Sequence, residues 1–319
     1  MLTIFTIPKP FKGHIQIIQR NALQSWLQLA PACEVFLCGN DAGVRETASE
    51  FDVHHIKDLA CTSYGTPLLS SAFKQVQEKA QHHLICYVNA DIILLPDFLE
   101  AVRRISFKRF LMVGQRWDLG VETSLDFASH GWSNALLSQV KAHGLLHPPL
   151  GSDYFVFPRG MFNTLPDFAV GRAGWDNWLI YHTRTLKLPV VDATATVTVI
   201  HQNHDYAHVP EKQGRAFQGP ESDQNLSIIG DSERIFTLLD ATWLLTPQGL
   251  KRARSSSHIE RAKSVRPILH PKRAALYTYF RGIVLKIVPV NMRKVYHTSR
   301  RYISSAYQHL KKISHQPGN

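Results

Sequence analysis

Apolar residues along this chain fall into two rhythms. Nearly continuous apolar runs such as Val35-Phe36-Leu37-Cys38 and Leu84-Ile85-Cys86-Tyr87-Val88 are bounded by turn residues, the pattern of strands buried on both faces. Elsewhere they recur every three or four positions: Ile15, Ile18, Ala22, Trp26 and Leu29 make one face of a helix. The chain opens as a strand over 3–7 ended by Pro8-Lys9-Pro10, then that helix, a strand over 34–38 stopped by Gly39-Asn40-Asp41, a helix over 42–51 and a short strand over 53–56. A helix over 68–80 leads into the strand at 84–88, which breaks at Asn89-Ala90-Asp91, resumes over 92–95 and passes through Pro96 into a helix over 97–104. Further strands are expected at 110–114, 154–157, 188–192 and 193–200, with helices over 132–143 and from Asp176 through Arg184. Residues 119–149 are otherwise weakly patterned and read as an insertion at one rim of a site. Residues 207–225, rich in Gly, Pro and polar groups, read as a flexible loop over it, 226–245 as helical or mixed, and Thr246-Pro247 as the end of the domain. This alternation predicts an α/β fold with a Rossmann-like, mostly parallel sheet flanked by helices.

Charge divides the chain. Residues 251–319 hold 16 Lys and Arg against the single acid Glu260, whereas 1–250 hold 20 against 24 acids, so the formal charge of +11 sits in the tail. A mildly acidic domain over 1–248 and a basic, amphipathic helical region over 249–319 are expected. In that region Leu276, Tyr279, Phe280, Ile283 and Ile287 precede Pro289, and Val295, Tyr302, Ile303, Ala306, Leu310 and Ile313 recur near helical spacing among Lys and Arg. Such a pattern fits a helix lying on an anionic membrane surface, although docking on a protein face or on nucleic acid would use the same residues. No apolar run approaches the roughly 20 residues that span a bilayer. Residues 1–7 lack the charged start and cleavage site of a secretory signal. Cys33, Cys38, Cys61 and Cys86 lack metal-ligand spacing and read as free thiols of a reducing compartment. The expected location is cytoplasmic, peripheral on a membrane through the tail.

Candidate chemistry lies at the strand ends. Asp91 follows a fully apolar strand, and the carboxyl ends of parallel strands face the ligand crevice, where an acid serves either a turn or a ligand or metal. Gly65, in the loop before a helix, allows close backbone approach to an anionic ligand. Arg116 beside Trp117 is either a diphosphate or acceptor contact or a stacked surface pair. Asp153 is an acceptor contact or a turn acid. Asp176, between Gly174 and the tryptophans Trp175 and Trp178, is a helix cap or a functional acid. His201-Gln202-Asn203-His204-Asp205-Tyr206 is a dense polar cluster after an apolar strand, with histidines of the kind that bind transition-series ions.

In that order, Asn89-Ala90-Asp91, Gly151-Ser152-Asp153, Gly174-Trp175-Asp176 and the cluster from His201, spread over residues 1 to 245, resemble the GT-A glycosyltransferases. Asn89 stands where the first acid of their Asp-x-Asp motif often sits. The resemblance implies a nucleotide-sugar donor, with Thr6, Pro8, Asn40 and Asp41 near its base and ribose, and Gly65, Asn89 and Asp91 on the donor side. It also implies a divalent cofactor, Mn2+ or Mg2+, held by Asp91 with His201 or His204, and Asp176 as the base that deprotonates the acceptor. Asp153, Trp175 and Trp178 would border the acceptor.

The expected activity is metal-dependent transfer of a sugar to a hydroxyl acceptor, lipid-linked or glycan, with inversion. A sugar-phosphate nucleotidyltransferase would share the sheet, but Pro8-Lys9-Pro10-Phe11-Lys12-Gly13 offers one glycine where that class needs a Gly- and cation-rich phosphate loop. A non-catalytic nucleic-acid-binding protein working through the basic tail is the other alternative, ranked below the enzyme.

Overall fold

The computed structural model describes residues 1–29, 31, 33–204, 218–276 and 278–279. These fall into two compact units, Met1–Lys263 and a second from Ser264 onward, whose described residues include the short helix Arg266–Leu269. Most of the apolar tail pattern, from residue 280 on, lies outside the described residues, as do 207–217 of the expected loop, Asp205 and Tyr206. No helix among the described residues is long and apolar enough to cross a membrane.

The first unit begins with β1 (Leu2–Thr6), α1 (Gly13–Leu27), β2 (Cys33–Cys38), α2 (Val44–Glu50), β3 (His54–Ile56) and α3 (Leu69–Lys79). Next come β4 (Leu84–Val88), β5 (Ile92–Leu94), α4 (Asp97–Arg103), β6 (Leu111–Val113), β7 (Trp117–Leu119), α5 (Trp132–His143), β8 (Leu145–Leu146) and β9 (Tyr154–Pro158). The last elements are α6 (Trp175–Thr185), β10 (Val190–Asp192), β11 (Val199–Gln202), α7 (Pro220–Ile229), β12 (Trp243–Thr246) and β13 (Gly249–Arg252). Among the described residues the main sheet runs β13-β12-β10-β6-β9-β4-β1-β2-β3, parallel except at β9 and β13. This is the expected α/β fold. The central strands are apolar on both faces because both are covered. Leu2, Ile4, Cys86 and Val88 join the core that includes Trp26 and Leu23 of α1, while Phe5 and Tyr87 pack with Phe73 of α3 on the opposite face.

A second sheet, β5-β11-β7-β8, departs from the sequence reading. Its member β8 lies in the stretch over 119–149 read as an insertion and β7 at the edge of it, each too short to show an alternating pattern. The strand expected over 193–200 begins only at Val199. Thr194 donates both its N–H and its hydroxyl to Asp192 Oδ1, and Thr196 N–H bonds the Ala193 carbonyl, so the chain turns there and β10 and β11 enter different sheets. Residues 220–225, expected in the flexible loop, form the start of α7, with Pro220 in its first turn. The expected domain boundary at 248 falls in the turn of a hairpin, where β12 pairs antiparallel with β13.

Helix α1 holds the second sheet by its polar residues. Trp26 Nε1 donates to the Ile92 carbonyl at 2.9 Å, and Ser25 Oγ accepts from Leu94 N–H at 3.1 Å. One turn earlier, buried Asn21 donates to Gln202 Oε1 and to the Thr123 carbonyl, both at 3.0 Å, and accepts from Leu125 N–H at 2.9 Å. One helix face thus fixes β5, β11 and the loop leaving β7.

Candidate functional site

A cavity of about 540 Å3 opens beyond the ends of β1, β2 and β4. Lys9 and Asp41 line it from the loops after β1 and β2, Asn89 to Asp91 from the end of β4, and Gly65 and Arg172 from across it. Of the residues expected there, Pro8, Asp41, Gly65, Asn89, Asp91, Asp153, His201 and His204 line the wall. Thr6 is buried inside β1 and Asn40 is exposed; neither lines the cavity. Trp175 does not line it either: it packs against Tyr87 and Phe155 in the aromatic core, ring centroids 5.1 and 5.3 Å away. Trp178 stacks on His182 at 4.6 Å beside Phe168. Neither indole offers a cavity face for a sugar in this arrangement.

Asp91 sits where the chain passes from the main sheet to the second. Gln202 donates its backbone N–H and its Nε2 to the Asp91 carbonyl at 3.2 and 3.1 Å, and Nε2 also bonds the Ile18 carbonyl at 2.7 Å. The β5–β11 register pairs Ile92 with His201, which brings the imidazoles of His201 and His204 over the Asp91 carboxylate. His204 Nε2 lies 3.0 Å and His201 Nε2 3.9 Å from Oδ2, while Oδ1 is buried with no hydrogen-bond partner among the described residues. One ligand atom from each of the three lies within 4.8 Å of the others. A carboxylate with one oxygen facing two imidazoles and the other buried without a partner among the described residues is a donor set that fits a divalent ion. Burial alone would raise the Asp91 carboxyl. The His204 hydrogen bond and the nearby His201, Lys9 and His204 side chains outweigh it and hold the group well below the usual carboxylate range. Burial pushes the His201 imidazole down, against the pull of Asp91. Lys9 Nζ stands 3.4 Å from His204 Nε2, a cation that the sequence reading passed over.

From this centre a chain of charges runs along the second sheet. His201 Nδ1 is 3.1 Å from Asp118 Oδ1, without the alignment of a hydrogen bond. Asp118 accepts from Arg116 Nε and His147 Nδ1, each at 2.9 Å, and Arg116 Nη1 reaches Asp153 Oδ2 at 2.5 Å. Arg116 is therefore a half-buried bridge between two carboxylates at the cavity wall and not a surface partner of Trp117. Asp153 Oδ1 accepts from Asn89 Nδ2 at 2.7 Å, and its carbonyl from Asn89 N–H at 2.9 Å. So Asn89, the residue in place of an acid, ties the end of β4 to the start of β9.

Asp176 lies in the first turn of α6 behind Ser152, whose N–H points at its Oδ2 from 3.5 Å, and is not a wall residue. Gly174 holds the cap position with φ +89°, a conformation that favours glycine, so capping does not account for the aspartate. Burial, against the Asn177 N–H and with the charge of Asp153, pushes the Asp176 carboxyl up to about 6.

The opposite wall is fixed by Glu221 in the first turn of α7. Fully buried, it accepts from Thr62 Oγ1 at 2.5 Å, Thr66 Oγ1 at 2.9 Å and Arg172 at 2.7 and 3.0 Å. The sequence reading missed it, because an acid in a polar stretch carries no pattern. Breaking a buried ion pair leaves its partner uncompensated, so Glu221→Ala is expected to lower stability to chemical denaturation by about 3–5 kcal/mol. A loss below about 1 kcal/mol, the scale of a surface pair, would show that this anchor is not what holds Arg172.

No family model matches the chain, and no curated protein matches it. Solved structures with a similar arrangement of elements include a protein from Desulfovibrio desulfuricans G20 described as a nucleotide-diphospho-sugar transferase, at 12% identity, covering 72% of this chain and 94% of that one, with a TM-score of 0.40. Another is glucosyl-3-phosphoglycerate synthase from Mycobacterium tuberculosis in complex with Mg2+ and UDP, at 12% identity, 74% and 79% coverage and a TM-score of 0.44. A third, S. aureus TarS 1-349 with UDP-GlcNAc, reaches 14% identity, 39% and 38% coverage and a TM-score of 0.30. With every one of these scores below 0.5, the chemistry of the site rests on its own residues.

Proposed function

We propose that this chain is a metal-dependent glycosyltransferase that moves a sugar from a nucleotide-sugar donor to a hydroxyl acceptor with inversion at the anomeric carbon. The observation that carries this reading is that Asp91, His201 and His204 bring one ligand atom each to within 4.8 Å of one another at the strand-end cavity, on a carboxylate whose second oxygen, Oδ1, is buried with no hydrogen-bond partner among the described residues. These three residues would hold the ion. One carboxylate with two imidazoles suits a transition-series ion such as Mn2+ better than Mg2+, which prefers oxygen ligands. When bound, the ion supplies positive charge against the leaving nucleoside diphosphate.

The chain's own groups perform the remaining tasks. Pro8 and Asp41 border the nucleoside at the ends of β1 and β2, and Lys9 adds a second cation on the diphosphate side. Gly65 and Asn89 complete the donor wall, and Asp153 faces the acceptor. The acceptor oxygen attacks the anomeric carbon as the bond to the diphosphate oxygen breaks, and its proton passes through a bridging water to Asp176, which stands behind Ser152 and not on the cavity wall. A carboxyl pushed up to about 6 is suited to that work near neutral pH. A single displacement inverts the centre.

Melting curves with a panel of nucleotide sugars test the donor and the metal together. A donor at a hundred times its Kd is expected to add about 2.7 kcal/mol of stability in the presence of Mn2+ and little without it. Asp91→Asn should lose both this metal-dependent gain and turnover. Full activity in that variant, or in the wild type with excess chelator, would remove the metal from the mechanism.

For the base, Asp176→Asn is expected to lower turnover by about 10² to 10⁴ with donor affinity unchanged. Near-normal turnover, or a product with retained configuration, would rule the role out.

The 16 Lys and Arg of residues 251–319 support docking on an anionic membrane surface, which would bring the site to a lipid-linked or glycan acceptor from the cytoplasmic side. The full chain should sediment with anionic vesicles at low salt and leave them at high salt. Equal binding to neutral vesicles would exclude this docking.

A further inference from the structure

The second sheet does more than carry His201 to Asp91. In the parallel pairing of β11 with β7, His201 and Asp118 are register partners, so the backbone itself sets the imidazole beside the carboxylate. His201 Nε2 faces Asp91 at 3.9 Å, and Nδ1, on the other side of the ring, faces Asp118 Oδ1 at 3.1 Å. Nδ1 is buried and has no aligned acceptor. Asp118 does not line the cavity, so it acts on a ligand there only through a neighbour. Its carboxylate is itself held, by Arg116 Nε on Oδ1 and His147 Nδ1 on Oδ2.

We infer that Asp118 is a positioning residue for the metal centre. It keeps the His201 proton on Nδ1 and the ring turned so that Nε2 presents its lone pair beside Asp91 and His204, while Arg116 locks Asp118 to Asp153. An imidazole that binds a metal through one nitrogen must carry its proton on the other, and an acceptor for that proton fixes both tautomer and ring angle. Asp118 Oδ1, at 3.1 Å, is within hydrogen-bond distance of that nitrogen. The inference rests on the metal-dependent reading of the site and adds a residue to which that reading gives no part.

Direct titration of the protein with Mn2+, alone and with UDP, GDP or ADP present, is the test. Asp118→Asn keeps the shape of the side chain but weakens the acceptor, and is expected to lower Mn2+ affinity by about 10- to 100-fold, the usual cost of losing an outer-shell partner. Asp118→Glu, which restores the carboxylate, should recover part of that loss. In a His201→Ala background, Asp118→Asn should have no further effect on Mn2+ affinity, because the ring it positions is gone. The Co2+-loaded protein gives a second readout: its visible spectrum should change in Asp118→Asn and move back toward wild type in Asp118→Glu. Wild-type Mn2+ affinity in a folded Asp118→Asn, or an equal loss in the His201→Ala background, would overturn the inference and leave the metal site standing. Should Asp118→Asn fail to fold, Asp118→Glu decides, since an unaltered Co2+ spectrum and Mn2+ affinity with the carboxylate displaced would likewise overturn it. No Mn2+ binding by the wild type under any of these conditions would overturn the metal reading and this inference with it.

Discussion

A carboxylate taken out of water loses solvation worth several kcal/mol, which protein groups must replace. Asp91 meets that condition at a seam. It stands between β4, in the interior of the main sheet, and β5, which leaves at once for the second sheet. The backbone at the break is held by Gln202 and by the polar face of α1, so the carboxylate cannot relax toward solvent without undoing a buried hydrogen-bond knot. What compensates the charge comes from β11, the residues just after it and the loop after β1: His201, His204 and Lys9. The neighbouring residues follow from this one placement.

Polar groups alternate outward from Asp91: imidazole, carboxylate, guanidinium, carboxylate, and finally the amide of Asn89 back at the end of β4. The path closes a loop across both sheets. Burial alone would lower the Arg116 guanidinium, but the Asp153 and Asp118 carboxylates more than reverse it, so its charge is secure. A network satisfied in this way is rigid, because each member that moves strands two others. The tail of the cavity opposite is built by the same logic on a smaller scale, with Glu221 serving two threonines and Arg172.

The main sheet was legible because its strands are apolar on both faces and its helices carry a clean face; Leu84 to Val88 and the α1 pattern sit where the residues indicate. The second sheet was not, since β7 and β8 are three and two residues long and no period can be seen over so few positions. With it went the role of Arg116 and Asp118, whose partners are set by register and not by spacing. Asp91, His201 and His204 were legible as polar residues at the ends of apolar runs. Trp175 misled because a large aromatic beside an acid looks the same whether it faces a ligand or Tyr87, and only packing separates the two.

Two carboxylates, Asp153 and Asp176, stand near each other at the start of β9 and of α6, and their surroundings differ. Asp153 is fully engaged: Oδ1 accepts from Asn89 and Oδ2 from Arg116, so a proton arriving there must displace a hydrogen bond and an ion pair. Asp176 receives only a long amide contact from Ser152 and the N–H groups of its own helix turn, within the negative field of Asp153 and without a cation. Burial, with the charge of Asp153 added, raises Asp176 to about 6. Neighbouring acids whose environments divide them in this way divide roles as well, one fixing geometry and field and the other exchanging a proton. The argument for Asp176 as the base therefore lies less in its own helix turn than in Arg116, which spends its charge on Asp153 and Asp118 and leaves Asp176 unneutralised.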